Sequence, residues 1–206
     1  MLRLEARSRT PAWYNLALPF LAVAATLVLA SGLIALAGAN VFHAYAVLFD
    51  AAFGGTYAIT ETLVRATPMI FTGLAVAVAF RAKFWNIGAE GQLLAGAVAG
   101  CAVGELPMPG PLAMLLMALA GAAAGALVAF VPAILRVRLK VDDVVSSLLL
   151  NSVAYYALMA LIEGPWKDTL SGYPISPPIQ DSANFPVLLE GTRLHLGVVA
   201  ALVSAP

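Results

Sequence analysis

Asn86, Glu90 and Gln92 fall within one short stretch, Phe80 to Gln92, together with Arg81, Lys83, Gly88 and Gly91. Two primary amides that donate and accept, beside a carboxylate that accepts, suit reversible hydrogen bonding to neutral hydroxyl-rich or amide-bearing solutes. Asn151 adds a third amide farther along the chain. Glu61 and Arg65 stand four residues apart with the acid first, a spacing at which they pair on a helix. Covalent chemistry has no comparable set. No glycine is followed by lysine, which excludes the Gly-x-x-x-x-Gly-Lys phosphate cradle, and no catalytic residues are assigned. His43 and His195 lack a second ligand at metal spacing, so no metal is expected. Cys101, the one cysteine, lies in an apolar run and reads as a packing residue.

The elements that must position these groups belong to a chain too apolar for a water-soluble domain. Its residues are 62% hydrophobic and 11% charged, with a mean hydropathy of +0.92, against roughly 45 to 50% and 25% in soluble proteins. Eleven bases balance eleven acids, leaving no net field to attract nucleic acid. An apolar run from about Leu16 to Ala39 is long enough to cross a bilayer and outlasts the apolar core of a signal peptide, so it reads as a retained anchor. Asn40 to Gly55 reads as an external connection with room for a short interfacial helix. Pro68 to Phe80 and Leu93 to Val103 are the continuously apolar parts of the second and third spans, and both are short for a complete crossing. Leu112 to Leu135 gives a fourth span, and the segment from Asp142 through Ile162 gives a fifth. The expected fold is an all-α polytopic membrane protein with about five complete transmembrane helices, the start of a sixth, and a cytoplasmic N-terminus.

Gly96, Gly100 and Gly104 recur at four-residue spacing, as do Gly121 and Gly125, which places each set on one helix face for close packing. Arg3, Arg7, Arg9, Arg81, Lys83, Arg136, Arg138 and Lys140 fall on one proposed side, which the positive-inside rule makes cytoplasmic. Residues 163–192 carry five prolines, at 165, 174, 177, 178 and 186, and form an extracytoplasmic loop with Trp166, Lys167 and Asp168 exposed for docking. The last residues, from His195, begin an apolar segment too short to cross. The expectation is a single transmembrane domain over residues 1–206, truncated at its C-terminal side.

Two placements suit the polar stretch. In one it is a cytoplasmic turn, with Arg81 and Lys83 snorkelling, Phe84 and Trp85 anchoring at the interface, and the glycines permitting the bend. In the other it is a break inside the membrane, of the kind transporters use to expose backbone groups to a solute. Asn86, Glu90, Gln92 and Asn151 are the candidates for a substrate path or gate. Two functions fit parts of this pattern. One is an ion-coupled secondary transporter or channel using Glu61, Arg65 and Glu90; the other is a non-transporting scaffold, which explains the glycine faces but not the polar stretch.

The run Thr67-Pro68-Met69-Ile70-Phe71-Thr72-Gly73, continuing to Arg81 and followed by Phe84-Trp85-Asn86-Ile87-Gly88-Ala89-Glu90-Gly91-Gln92, resembles a signature of ABC-importer permeases. Val141-Asp142-Asp143 through Asn151 and Gly164-Pro165-Trp166-Lys167-Asp168 agree in the same order. The branch resembled is the simple-sugar and nucleoside branch of the ribose and branched-chain amino-acid permease superfamily. The resemblance implies a multi-pass subunit of a bacterial plasma (inner) membrane, without an ATPase site of its own. It also implies ATP and Mg bound on separate ABC ATPase subunits, a second permease subunit in a homo- or heterodimer, and an extracytoplasmic substrate-binding protein. The family's Gly-x-Asn-x-x-Ala-Ala coupling pattern does not occur in these residues, so no ATPase-contact residue is assigned.

Overall fold

The computed structural model describes residues 12–204 and is all-helical apart from one isolated β-bridge between Val187 and His195. The helices are α1 (Ala12–Leu36), α2 (Val41–Phe53), α3 (Thr56–Arg81), α4 (Ala89–Gly104), α5 (Gly110–Leu139), α6 (Asp143–Glu163) and α7 (Leu196–Ser204). Arg3, Arg7 and Arg9, which carry part of the orientation argument, lie outside the described residues, as does Pro206. The chain divides into two compact units, Met1–Ile59 and Thr60–Pro206.

In the first unit, α1 ends because Gly38 takes a left-handed conformation (φ +77°), donating to Ala35 O at 3.0 Å, while Ala39 donates to Ile34 O at 3.2 Å. Asn40 then starts α2 by accepting from His43 N at 3.0 Å. Tyr45 ties α2 back to α1, donating to Leu27 O and lying 3.3 Å from Ser31 Oγ.

α3, which begins at Thr56 in the first unit and continues through the second, is one continuous helix of 26 residues. Its continuously apolar part, Pro68 to Phe80, is short for a crossing, and the more polar first turns extend the helix back to Thr56. Proline removes one N–H and disturbs the carbonyls of the preceding turn. Here Thr67 Oγ1 donates to Leu63 O at 3.0 Å and Thr72 Oγ1 to Pro68 O at 2.9 Å, hydroxyl back-bonds that flank the proline, whose own missing N–H would have met Val64 O. At 16 residues α4 rises only about 24 Å, short of a hydrocarbon core of about 30 Å. Among the described residues, four helices are long and apolar enough to cross: Leu16–Leu36, Thr56–Arg81, Gly110–Leu139 and Asp143–Glu163. Side chains such as Leu29 and Val137, each 76% exposed, give these helices apolar exteriors that lipid would cover.

The most extensive packing joins α4 to α5. A Cβ built on Gly96 would lie 3.0 Å from Gly121 O, and one on Gly121 would lie 3.2 Å from Gly96 O. Gly125 approaches Gln92 O in the same way at 3.2 Å, whereas Gly100 has only an ordinary 3.8 Å contact with Met117 O. Gly104, at the end of α4, meets Ile179 of the long connection.

That connection, from Gly164 to His195, has two ordered parts. Asp168 organises a turn. It accepts from Leu170 N at 3.0 Å, from Ser171 N at 3.1 Å and from the Ser171 hydroxyl, and Gly172 completes the turn at φ +70°. Trp166 donates its N–H to Leu161 O at 2.9 Å and is partly buried, while Lys167 is exposed. The Ser171 hydroxyl, followed by the two amides, holds the Asp168 carboxyl below its ordinary value. A depressed carboxylate contributes stability above its unfolded pKa and loses it as pH falls through the folded value. A carbon chemical-shift titration of Asp168 should therefore have a midpoint below that of an ordinary aspartate, moving upward in S171A. An ordinary midpoint in the native chain would contradict this.

Candidate functional site

The polar stretch connects α3 to α4 and lies against the start of α6. Its geometry begins with two helix ends built without glycine. Lys83 ends α3 at φ +57°, with Phe84 N donating to Ala79 O at 3.0 Å. Lys140 ends α5 at φ +55°, with its N–H on Arg136 O at 3.0 Å. Asp142 then caps α6 by accepting from Val145 N at 3.0 Å.

Asp143, Ser147 and Asn151 recur every four residues along α6 and so share one face. Each accepts one backbone N–H from the connection opposite: Trp85 N to Asp143 Oδ2 at 2.6 Å, Ile87 N to Ser147 Oγ at 3.1 Å, and Gly91 N to Asn151 Oδ1. The face thus supplies acceptors to a backbone that leaves one helix before entering the next, where such donors lack intrahelical partners. Ser147 also donates to Asp143 O at 2.6 Å and is 1% exposed. Arg136 closes the far end, pairing with Asp143 Oδ2 and placing its guanidinium carbon 5.7 Å from the Phe84 ring centroid.

Gly88 and Gly91 serve closeness here. The expectation that these glycines permit a bend is corrected, since neither has positive φ. A Cβ on Gly88 would lie 2.9 Å from Ser147 O, and one on Gly91 would lie 2.8 Å from Asn151 Cα. Only an unsubstituted backbone comes this near the face of α6.

Asn86 and Gln92 face each other. Asn86 Nδ2 donates to Gln92 Oε1 and Gln92 Nε2 donates to Asn86 Oδ1, both at 3.0 Å, and Asn86 Oδ1 also accepts from Gly88 N at 3.0 Å. At 6% exposure, Asn86 spends its hydrogen-bonding capacity inside the protein in this conformation. Glu90 differs. It is exposed, its carboxylate accepts from Asn151 Nδ2 at 3.4 Å, and it borders a cleft of about 480 Å³ with Pro68, Thr72 and Gly73 of α3. Asn86, Glu90, Gln92 and Asn151 are thus brought together. Glu61 and Arg65 lie elsewhere, 3.9 Å apart, and Arg193 approaches the same Glu61 carboxylate at 3.7 Å. Among the described residues no three His, Cys, Asp or Glu side chains are grouped to hold a metal.

Arg136, Asp143 and Ser147 were not singled out from sequence as site residues. The available signal was the Asp-x-x-x-Ser-x-x-x-Asn spacing, which is a polar stripe on an otherwise apolar helix.

Residues 58–205 match the family described as "Branched-chain amino acid transport system / permease component". The chain belongs to this permease family. Among curated relatives, a glucose ABC transporter permease protein, TsgB13 of Haloferax volcanii, is 40% identical over 91% of this chain and 50% of its own. A guanosine ABC transporter permease protein, NupP of Bacillus subtilis, is 34% identical over 93% of this chain and 56% of its own. A nucleoside ABC transporter permease protein, NupB of Lactococcus lactis, is 28% identical over 81% and 49%. The permease chain spans about half the length of the curated relatives it matches. No solved structure matches it. Family membership and the four apolar helices make the permease a multi-pass membrane protein.

Proposed function

We propose that the chain is part of the transmembrane permease subunit of an ATP-driven ABC importer for a simple sugar, a nucleoside or a related small polar solute. The observation that carries this reading is the set of relatives, whose names specify glucose, guanosine and nucleosides. These solutes are neutral and hydroxyl-rich, and the amide cluster at the α3–α4 connection has the hydrogen-bonding character they require. In this reading the subunit has a cytoplasmic N-terminus and five crossings, with α7 opening a sixth, in a bacterial plasma membrane. The helices pair with a second permease subunit, ABC ATPases carry ATP and Mg, and an external binding protein docks at the loop bearing Trp166, Lys167 and Asp168.

Transport proceeds by alternating access between states that each partner favours differently. In the described conformation the Asn86 and Gln92 amides satisfy each other. A state that separates them frees two donors and two acceptors, which solute hydroxyls replace. Glu90 is the best probe of the path because few contacts hold it in the fold. E90Q should leave the protein's thermal unfolding unchanged and lower solute uptake about tenfold, as loss of a charged hydrogen bond worth about 1.5 kcal/mol implies. Wild-type uptake by E90Q would remove Glu90 from the path. Accumulation that persists without the ATPase subunits would overturn the importer reading itself.

A further inference from the structure

The connection before α7 forms one wall of a cavity of about 660 Å³. The opposite wall comes from α4 and α5 and includes Gly100, Cys101, Met114 and Met117. Phe185, Val187, Arg193 and His195 face them. This second wall is a small hairpin. Leu188 N donates to Leu194 O at 2.7 Å, Val187 bridges His195, and Gly191 turns the tip at φ +75°. Phe185 stacks on His195 across its base, with centroids 5.9 Å apart.

The segment before the hairpin is fastened to the α4–α5 turn. Gln180 N donates to Gly104 O at 2.9 Å, Gln180 Nε2 to Glu105 O at 3.2 Å, and Ser182 Oγ to Met108 O at 3.3 Å. The hairpin beyond has a different attachment, the Arg193 guanidinium on the Glu61 carboxylate of α3. That contact is built to let go. It is long at 3.7 Å, and the Arg193 side chain is 71% exposed, so water screens it. Glu61 Oε1 is buried without a hydrogen-bond partner, so the acid is incompletely satisfied while the contact holds. Arg65, 3.9 Å from the same carboxylate, keeps the acid paired when Arg193 leaves.

We propose that residues 187–195 are a strap, hinged on the fastened 180–182 segment and latched to α3 by Glu61–Arg193, whose release opens the α4–α5 cavity and exposes Cys101. The strap runs directly into α7, where His195 Nδ1 accepts from Gly197 N at 3.1 Å, so latch state and the position of that helix start are mechanically joined.

Cys101 is a built-in reporter. In the assembled permease complex in lipid nanodiscs, where both faces are reachable, the rate of Cys101 modification by a charged methanethiosulfonate is measured against a C101S control. E61Q and R193Q should each label about two- to fivefold faster than the native protein, the range set by losing a screened ion pair. R193K, which keeps the charge, should label near the native rate. The exchanged pair E61R with R193E should fall back toward it. Labelling at the native rate in both neutral variants overturns the latch, and so does an exchanged pair as fast as the single variants. Should one neutral variant fail to give a monodisperse complex, the other decides, read against R193K.

Discussion

Alanine at position 143 is expected to unfold the α3–α4 connection and lower the stability of the second unit by about 2 to 3 kcal/mol. Asp143 is 8% exposed and its Oδ2 serves two donors, Trp85 N and Arg136. Removing the carboxylate leaves a backbone N–H without a partner, beside a guanidinium that has lost its counter-charge. The Arg136 side chain is 37% exposed, so solvent recovers part of the second loss, and the figure sits below that for a fully buried pair. D143N separates the contributions, because an amide oxygen still accepts from Trp85 while the charge is gone. It should cost about 1 kcal/mol less than D143A. Thermal unfolding of the purified protein measures both, and tryptic cleavage at Lys83 reports whether the connection has come loose. A D143A protein that melts with the native one and resists cleavage equally would show that the α6 face does not hold the connection.

This dependence explains why the helices were easier to read than the site. An apolar run announces a crossing by length alone, and the end of α5 and the start of α6 follow from Arg136, Arg138 and Asp142 at those termini. Asn86, Glu90 and Gln92 were visible because polar side chains are conspicuous among apolar ones. What they touch was not visible. The bonds that fix the connection run from α6 side chains to backbone N–H groups about 60 residues earlier, and a backbone donor has no residue type to betray it. The same limit hid the true use of Gly88 and Gly91, since a glycine required for closeness and one required for a turn look identical in sequence. Arg193, far from Glu61 in sequence, could be paired with it only once the connection was folded.

Leucine at Gly96 should be the most damaging change on the α4–α5 face. A Cβ there already lies 3.0 Å from Gly121 O, closer than normal contact, so alanine forces a small shift and costs about 1 kcal/mol. Three further carbons cannot be placed without parting the helices, at about 3 kcal/mol or more. The damage would not stay local. Gln92 lies one turn before Gly96 on the same face, its carbonyl meets Gly125, and its side chain holds Asn86. A wedge at 96 therefore pulls on the pair that closes the polar cluster, and loss of uptake should accompany the loss of stability. Gly100 supplies the control, because its nearest contact across the interface is an ordinary 3.8 Å and G100A should melt within about 0.5 kcal/mol of the native protein. Equal melting of G96L and G100A would mean that the helices do not rest on the Gly96–Gly121 approach. A G96L protein that melts early but transports normally would uncouple the packing face from the amide pair.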